Sequence, residues 1–445
     1  MHDYSGHPFQ MQLSRALARR HEVLHVHCSS YRTGKGALGR TDDDPPGLAV
    51  EAISSGATFD RYSWVRRSHH ELAYGAAFCR RAAAYRPDVI LASNDPLFAK
   101  ALAGSWSAWS GTPWVFWLQD VYSVAMAGYV RSKLGPAGAG IGEGFQALER
   151  RLLRHAAAVV AITEDFRPLL RRWGVAADRL HVVENWAPLP ELPAGPKDNA
   201  WSRGHGLHDR PVLLYSGTLG LKHDPGLLVA LAERFRADAE TRIVVVSEGR
   251  GVDWLATEVA ARSLSNVVLL PYQPYESLPD VLATADVLVA LLKDEAGVFS
   301  VPSKVLSYLC AGRALLASVP AGNLAARTIK RAGAGMLVEP GDRDGFLSAA
   351  EKLLSDPALR QWHGQAARAF AEQAFDIDTI AGGFEAILTE AGTSGRAQDR
   401  GDHASSDLPS NSAKRSFGRL KAARRRRSVP GSIGGRGASV SLNRR

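Results

Sequence analysis

The chain has 445 residues, too many for one ordinary core and suited to two domains with extensions. It is 45% hydrophobic, yet no run approaches the ~18 apolar residues of a membrane span, and its start lacks the basic, apolar, small-residue order of a secretory signal. The formal charge of +9 belongs to one end: residues 391–445 hold 13 Lys/Arg against 3 Asp, so residues 1–390 are near neutral, which argues against a nucleic-acid-binding body.

Residues 8–20 predict an amphipathic helix and HEVLHVHC a strand. The polar stretch 31–47 reads as a loop and 67–85 as a helix. DVILAS, WVFWLQD, AAVVAIT and RLHVVEN read as strands, with helices over 141–155 and 165–173 between them. Strands alternating with helices predict a parallel sheet covered on both faces. The proline-rich stretch 188–210 is expected to link domains. A second series follows, with strands PVLLYSG, TRIVVVSEG, NVVLLPY, ADVLVALL, ALLASVP and AGMLVEP. The expected division is therefore an amino-terminal Rossmann-like domain over 1–187, a linker over 188–210, a second such domain over 211–372 and a closing helical region over 373–390. Two doubly wound sheets facing each other enclose a cleft, and ligands bind outside the carboxyl ends of such strands.

Cys28, Cys79 and Cys310 are sparse and form no CxxC pair, which points to a reducing compartment rather than a disulfide framework. His25 and His27 share one strand face with no carboxylate adjacent in sequence, a pattern of packed histidines more than of a metal site.

YSGTLGLKHDPGLL runs from a strand into a helix. Gly217 and Gly220 allow a tight turn, and Lys222 stands where its ammonium can reach a phosphate; a plain turn with a solvated lysine has the same pattern. In VFSVPSKVLSYLCAGRALLASVP, Pro302 and Ser303 start a helix that Gly312 ends. Unpaired N–H groups at that helix start favour an anion, and Lys304 adds a full charge.

Residues 212–340 resemble the donor domain of glycosyltransferase family 4, in its WbuB-like, colanic-acid-biosynthesis branch. The likeness rests on the PSK segment followed by Tyr308 and Gly312-Arg313, on VVSEGRG and on GAGMLVEPGD. DYSGHPFQMQLSRALARR, WLQDVYS, VVAITEDF and VVENW extend it across residues 1–390. The resemblance implies an α/β GT-B fold of two Rossmann-like domains facing across a cleft. It also implies retaining transfer of a sugar from a nucleoside-diphosphate sugar to a hydroxyl. Gly217, Lys222, Ser303 and Lys304 are the expected diphosphate site, with Glu248, Tyr272 and Ser307 on the nucleotide. Many relatives carry two glutamates around this helix; the matching positions here are Phe299 and Ser307, and Ser307 offers a ribose hydroxyl only a neutral hydrogen bond.

On the acceptor side the expected residues are Gly6, His7, Asn94 and Asp95, with Asn185 at the domain junction. Asp120 closes a strand at the cleft, where it either takes the acceptor proton or caps the next helix. No apolar run precedes the loop at Gly6, so the sheet is expected to lack its first strand, and roughly ten upstream residues are expected to supply it. No DxD motif stands at a donor-side strand end, so neither a metal nor another cofactor is required. A sugar-nucleotide epimerase and a non-catalytic nucleotide-binding protein share this architecture. The expected acceptor is a carbohydrate or a lipid-linked sugar. The expected site of action is the cytoplasm, peripheral at the inner face of the plasma membrane, where residues 391–445 form a disordered basic tail suited to anionic lipid.

Overall fold

The computed structural model describes residues 1–30, 38–54, 64–93, 95–220, 222–299 and 301–404. The amino-terminal half is built from β1 (His2–Asp3), α1 (Pro8–Leu17), β2 (Val23–Cys28), β3 (Leu48–Ile53), α2 (Trp64–Tyr85), β4 (Ile90–Ala92), α3 (Leu97–Ser110), β5 (Trp114–Leu118), α4 (Tyr122–His155), β6 (Ala158–Ala161), α5 (Arg167–Arg172) and β7 (Leu180–Val182). The second half comprises α6 (Ala200–Gly204), β8 (Val212–Ser216), α7 (Gly226–Arg234), β9 (Arg242–Val246), α8 (Arg250–Ala261), β10 (Val267–Leu270), α9 (Leu278–Ala283), β11 (Val287–Leu291), α10 (Lys304–Ala311), β12 (Ala314–Ser318), α11 (Leu324–Ala332), β13 (Gly335–Val338), α12 (Arg343–Ser355) and α13 (Pro357–Ala374). The long α14 (Ile377–Ala404) follows.

Both sheets are parallel, with orders β3-β2-β1-β4-β5-β6-β7 and β10-β9-β8-β11-β12-β13. Each order reverses direction beside its first strand, at β1/β4 and β8/β11, which opens a crevice at the carboxyl ends there. The expected GT-B architecture of two doubly wound sheets is what the chain adopts. The apolar runs explain why: β5, β8, β11 and β12 are buried along their whole length, as strands covered by helices on both faces must be.

Three expectations need revising. The central strand of the first sheet is not lost: His2 and Asp3 pair in parallel with Val26 and His27, and His2 with Ala92. A cavity of about 780 Å³ opens at Met1, between Leu24 on β2 and Leu91 on β4. The stretch expected to link the domains carries α6, capped by Asn199, and buries Trp201 and Leu207 in the core. The expected tail begins inside a helix, since α14 runs on to Ala404; residues 405–445 lie outside the described residues.

The closing helix α14 returns to the first half. Phe384 packs on Trp117 with ring centroids 4.6 Å apart, and Glu385 pairs with Arg20 and His21 at 2.7 Å. Arg327 reaches Asp165 at 2.6 Å and Arg331 reaches Glu184 at 2.6 Å, linking the halves on another side. These exposed pairs contribute ~0–1 kcal/mol each, so they orient the halves more than they stabilise them.

Candidate active site

The carboxyl ends of the two sheets enclose a cavity of about 560 Å³. Its second-half wall is the turn after β8 and the start of α10. Gly217 sits at φ 118, where a side chain is strained, and a Cβ there would lie 3.2 Å from Lys304 Cε. The glycine is therefore required twice, for its backbone and for the space it leaves to a lysine. Tyr308 holds this turn: the Ser216 N–H donates to its hydroxyl at 2.9 Å, and the hydroxyl donates to the Ser216 carbonyl at 3.0 Å. Gly312, at φ 64, ends α10 in the left-handed region.

Lys304 extends across this wall with Nζ 3.5 Å from the centre of the Tyr215 ring. The ammonium is shielded from solvent and has no hydrogen-bond partner among the described residues. Burial, and then the charge of Lys222, hold it well below the usual lysine range. A buried unpaired cation is costly. Here it stands at a helix start beside a second lysine, in a cavity open to an anion. Lys222, Ser303 and Ser307 line the same cavity, and the Lys222 carbonyl is fixed by the Lys293 N–H at 2.9 Å. Tyr272 also lines it and bonds Thr218 through its hydroxyl at 2.6 Å. Glu248 is exposed and is not among the lining residues, so it does not join the others.

His223 was not anticipated. It is buried and lines the cavity next to both lysines. The Gly220 N–H donates to its Nδ1 at 2.9 Å, so Nε2 carries the proton of the neutral ring. Burial, Lys304 and Lys222 lower its pKa to about 3. The ring is thus a neutral N–H donor among cations. Only the dipeptide Lys222-His223 after a glycine turn hinted at it.

The first-half wall carries His7 and Asp120. Asp3, at the end of β1, accepts the N–H of Gly6 at 3.0 Å and of His7 at 3.1 Å. Its carboxylate shapes the loop that brings His7 to the cavity, while Gly6, at φ 63, supplies the bend. Asp120 does not cap α4. The Ser123 N–H in the first turn donates instead to Glu149 at 3.1 Å, and the cap position is Val121. Asp120 lines the cavity instead. Its pKa is raised by burial, against the pull of Lys222, His7 and Lys100.

Asp95 departs from expectation. It is fully buried, accepts the Tyr4 N–H at 2.7 Å and pairs with His2 at 3.1 Å. It braces the loop after β1 through the Tyr4 N–H and is not among the residues lining this cavity. Asn94 lies outside the described residues. Asn185 donates to Gln119 at the cavity wall, leaving Gln119 Nε2 and Asn185 Oδ1 buried without partners among the described residues. One free donor and one free acceptor there suit a polyhydroxylated ligand.

Two family models divide the chain. The glycosyl transferase 4-like domain matches residues 7–186, and glycosyl transferases group 1 matches residues 197–370. The chain is a group 1 glycosyltransferase. Among curated relatives, the transferase is 26% identical over 304 residues to the Escherichia coli (strain K12) protein named colanic acid biosynthesis glycosyl transferase WcaI, covering 66% of this chain and 72% of that one. It is 26% identical over 219 residues to the alpha-D-kanosaminyltransferase of Streptomyces kanamyceticus, covering 48% of this chain and 55% of the relative. Among solved structures, HepE of Anabaena in complex with UDP-glucose superposes with a TM-score of 0.63 at 16% identity, covering 87% of this chain and 98% of that one. WaaG, a glycosyltransferase of lipopolysaccharide biosynthesis, gives 0.61 at 18% identity, covering 87% and 98%. These structural likenesses show the fold.

Proposed function

We propose that the enzyme transfers a sugar, with retention, from a nucleoside-diphosphate sugar to a hydroxyl on a carbohydrate or lipid-linked acceptor during cell-surface polysaccharide assembly. The observation that carries this reading is the buried, unpaired ammonium of Lys304 at the start of α10, beside Lys222. A diphosphate seated there satisfies the ammonium and lies at the positive end of the α10 dipole. Transfer builds negative charge on the departing diphosphate, and the two lysines with the neutral N–H of His223 oppose that charge without requiring a metal. Asp120, across the cavity, is the group suited to draw the proton from the acceptor hydroxyl, since its raised pKa favours proton uptake. Retention comes from the family 4 resemblance, and the acceptor class from the names of WcaI and WaaG. The bound UDP-glucose of HepE makes a uridine donor the first to try. A nucleotide-sugar donor supports a reaction on the cytoplasmic side.

The test is calorimetric titration with UDP, followed by a release assay with a panel of UDP-sugars and lipid-linked acceptors. Micromolar UDP binding and acceptor-stimulated UDP release are expected. A folded protein that binds no nucleoside diphosphate at millimolar concentration overturns the reading.

A further inference from the structure

The helix α4 is not one rod. Gly135 leaves helical geometry at φ 55, ψ −133, and Pro136 follows it, so the chain reverses there. The two arms then run antiparallel in close contact. Glu149 accepts the Ser123 N–H. A Cβ on Gly142 would lie 2.8 Å from Ala127 Cβ, and one on Gly138 would lie 2.3 Å from the Val130 carbonyl oxygen. These three contacts define a hairpin whose base sits at the cavity, where Tyr122 is a lining residue. Twelve residues separate Tyr122 from Leu134, so the tip stands about 18 Å from the cavity wall at helical rise.

The outer half of the hairpin, from its turn down to the level of Tyr129 and Ile141, has a particular chemistry. Tyr129, Leu134 and Ile141 are 50%, 55% and 46% exposed. Arg131 and Lys133 are exposed beside them, and no Asp or Glu occurs between Asp120 and Glu143. An aromatic, two aliphatics and two long cations around a glycine-proline turn suit an interface between headgroups and acyl chains. There tyrosine straddles the boundary, and Arg and Lys keep their charge in the headgroup layer. Among the described residues no helix is long and apolar enough to cross a membrane, so the hairpin fits shallow insertion.

We propose that the outer half of this hairpin, through Tyr129, Leu134 and Ile141 flanked by Arg131 and Lys133, docks the enzyme on an anionic lipid surface. Docking there holds the acceptor side of the cavity within about 18 Å of the bilayer, a reach suited to an acceptor sugar carried on a lipid. That last link rests on the proposed transfer reaction; the docking does not.

The test uses the full chain, vesicles of phosphatidylcholine with and without about 30% phosphatidylglycerol, and flotation at low and raised salt. The parent is expected to float with anionic vesicles and to retain part of that binding at raised salt, because apolar insertion is not screened. Leu134→Asp with Ile141→Asp should lower the partition coefficient roughly tenfold or more at both salts. Arg131→Gln with Lys133→Gln, a milder change, should lower only the binding that depends on anionic lipid. UDP titration of each variant reports folding and the donor site separately. Parent-like UDP affinity with lost flotation supports the docking, whereas failure of the parent to bind UDP sinks the transfer reading and leaves docking standing. Flotation unchanged in both double variants overturns the proposal. So does a parent that self-associates by light scattering while the Asp variant is monomeric and floats normally, since the tip then covers a second copy.

Discussion

Replacing Lys304 with Met should move stability and donor affinity in opposite directions. In the unliganded enzyme the ammonium is buried and unpaired, a cost of ~1–3 kcal/mol. Its contact with the Tyr215 ring returns about 0.5–2 kcal/mol. Methionine fills the same slot without charge and keeps a favourable sulfur contact with the ring, so the unliganded variant should gain about 1 kcal/mol in urea unfolding. The gain has a pH signature. The folded-state pKa of Lys304 lies below its ordinary value of 10.5, so the unfolded chain holds that proton more tightly. The parent's cost is therefore present in full below the folded-state value and is lost as pH rises toward the ordinary one. The advantage of Lys304→Met should shrink accordingly in alkaline buffer. Donor binding moves the other way. A charge-assisted hydrogen bond to phosphate contributes about 1.5–3 kcal/mol, so Kd for UDP in calorimetry should rise roughly 10- to 150-fold. Parent-like UDP affinity in Lys304→Met refutes the phosphate assignment. A destabilised variant shows that the ammonium already makes a net favourable contact.

Asp120→Asn should reduce acceptor-dependent UDP release by about 10²–10⁴-fold while changing UDP affinity less than roughly threefold; loss of both together would place Asp120 in donor binding instead. The pKa of His223 falls from 6.5 to about 3 on folding, so on acidification the unfolded state takes up this proton first. Stability from this site is lost as pH falls from 6.5 toward 3, with a slope of at most ~1.4 kcal/mol per pH unit. His223→Asn, whose carboxamide oxygen can still accept the Gly220 N–H, should lose less stability than the parent between pH 7 and pH 5 in urea titrations. Equal losses would mean the ring is protonated in the folded state.

Much of the fold was legible because its signals are local. Buried parallel strands read as short apolar runs, and β8, β9, β11 and β12 stand out by composition alone. Helix limits follow from residues with special backbones, such as Pro8 opening α1 and Gly312 closing α10. That Lys222, Ser303 and Lys304 line one cavity was legible because a glycine turn and a helix start each dictate what lies nearby in the chain.

What tertiary structure alone decided concerns partners distant in sequence. Asp95 and Asp120 both end strands, yet one is buried against His2 and the N–H of Tyr4, while the other faces the cavity. The difference lies in which neighbour satisfies which N–H: Glu149, 26 residues after Ser123, takes the cap that Asp120 would otherwise fill. The neutral state of His223 needs the fold too, because it depends on burial and on the charge of Lys304, which α10 brings from 81 residues away. The helix inside the linker and the length of α14 were not legible for a related reason. Proline content hid Trp201 and Leu207, whose burial depends on a surface assembled elsewhere, and basic composition hid the continuation of α14. Composition and spacing determine which backbone states a segment can take, whereas burial, protonation and the direction a carboxylate faces depend on the groups that the rest of the chain packs around it.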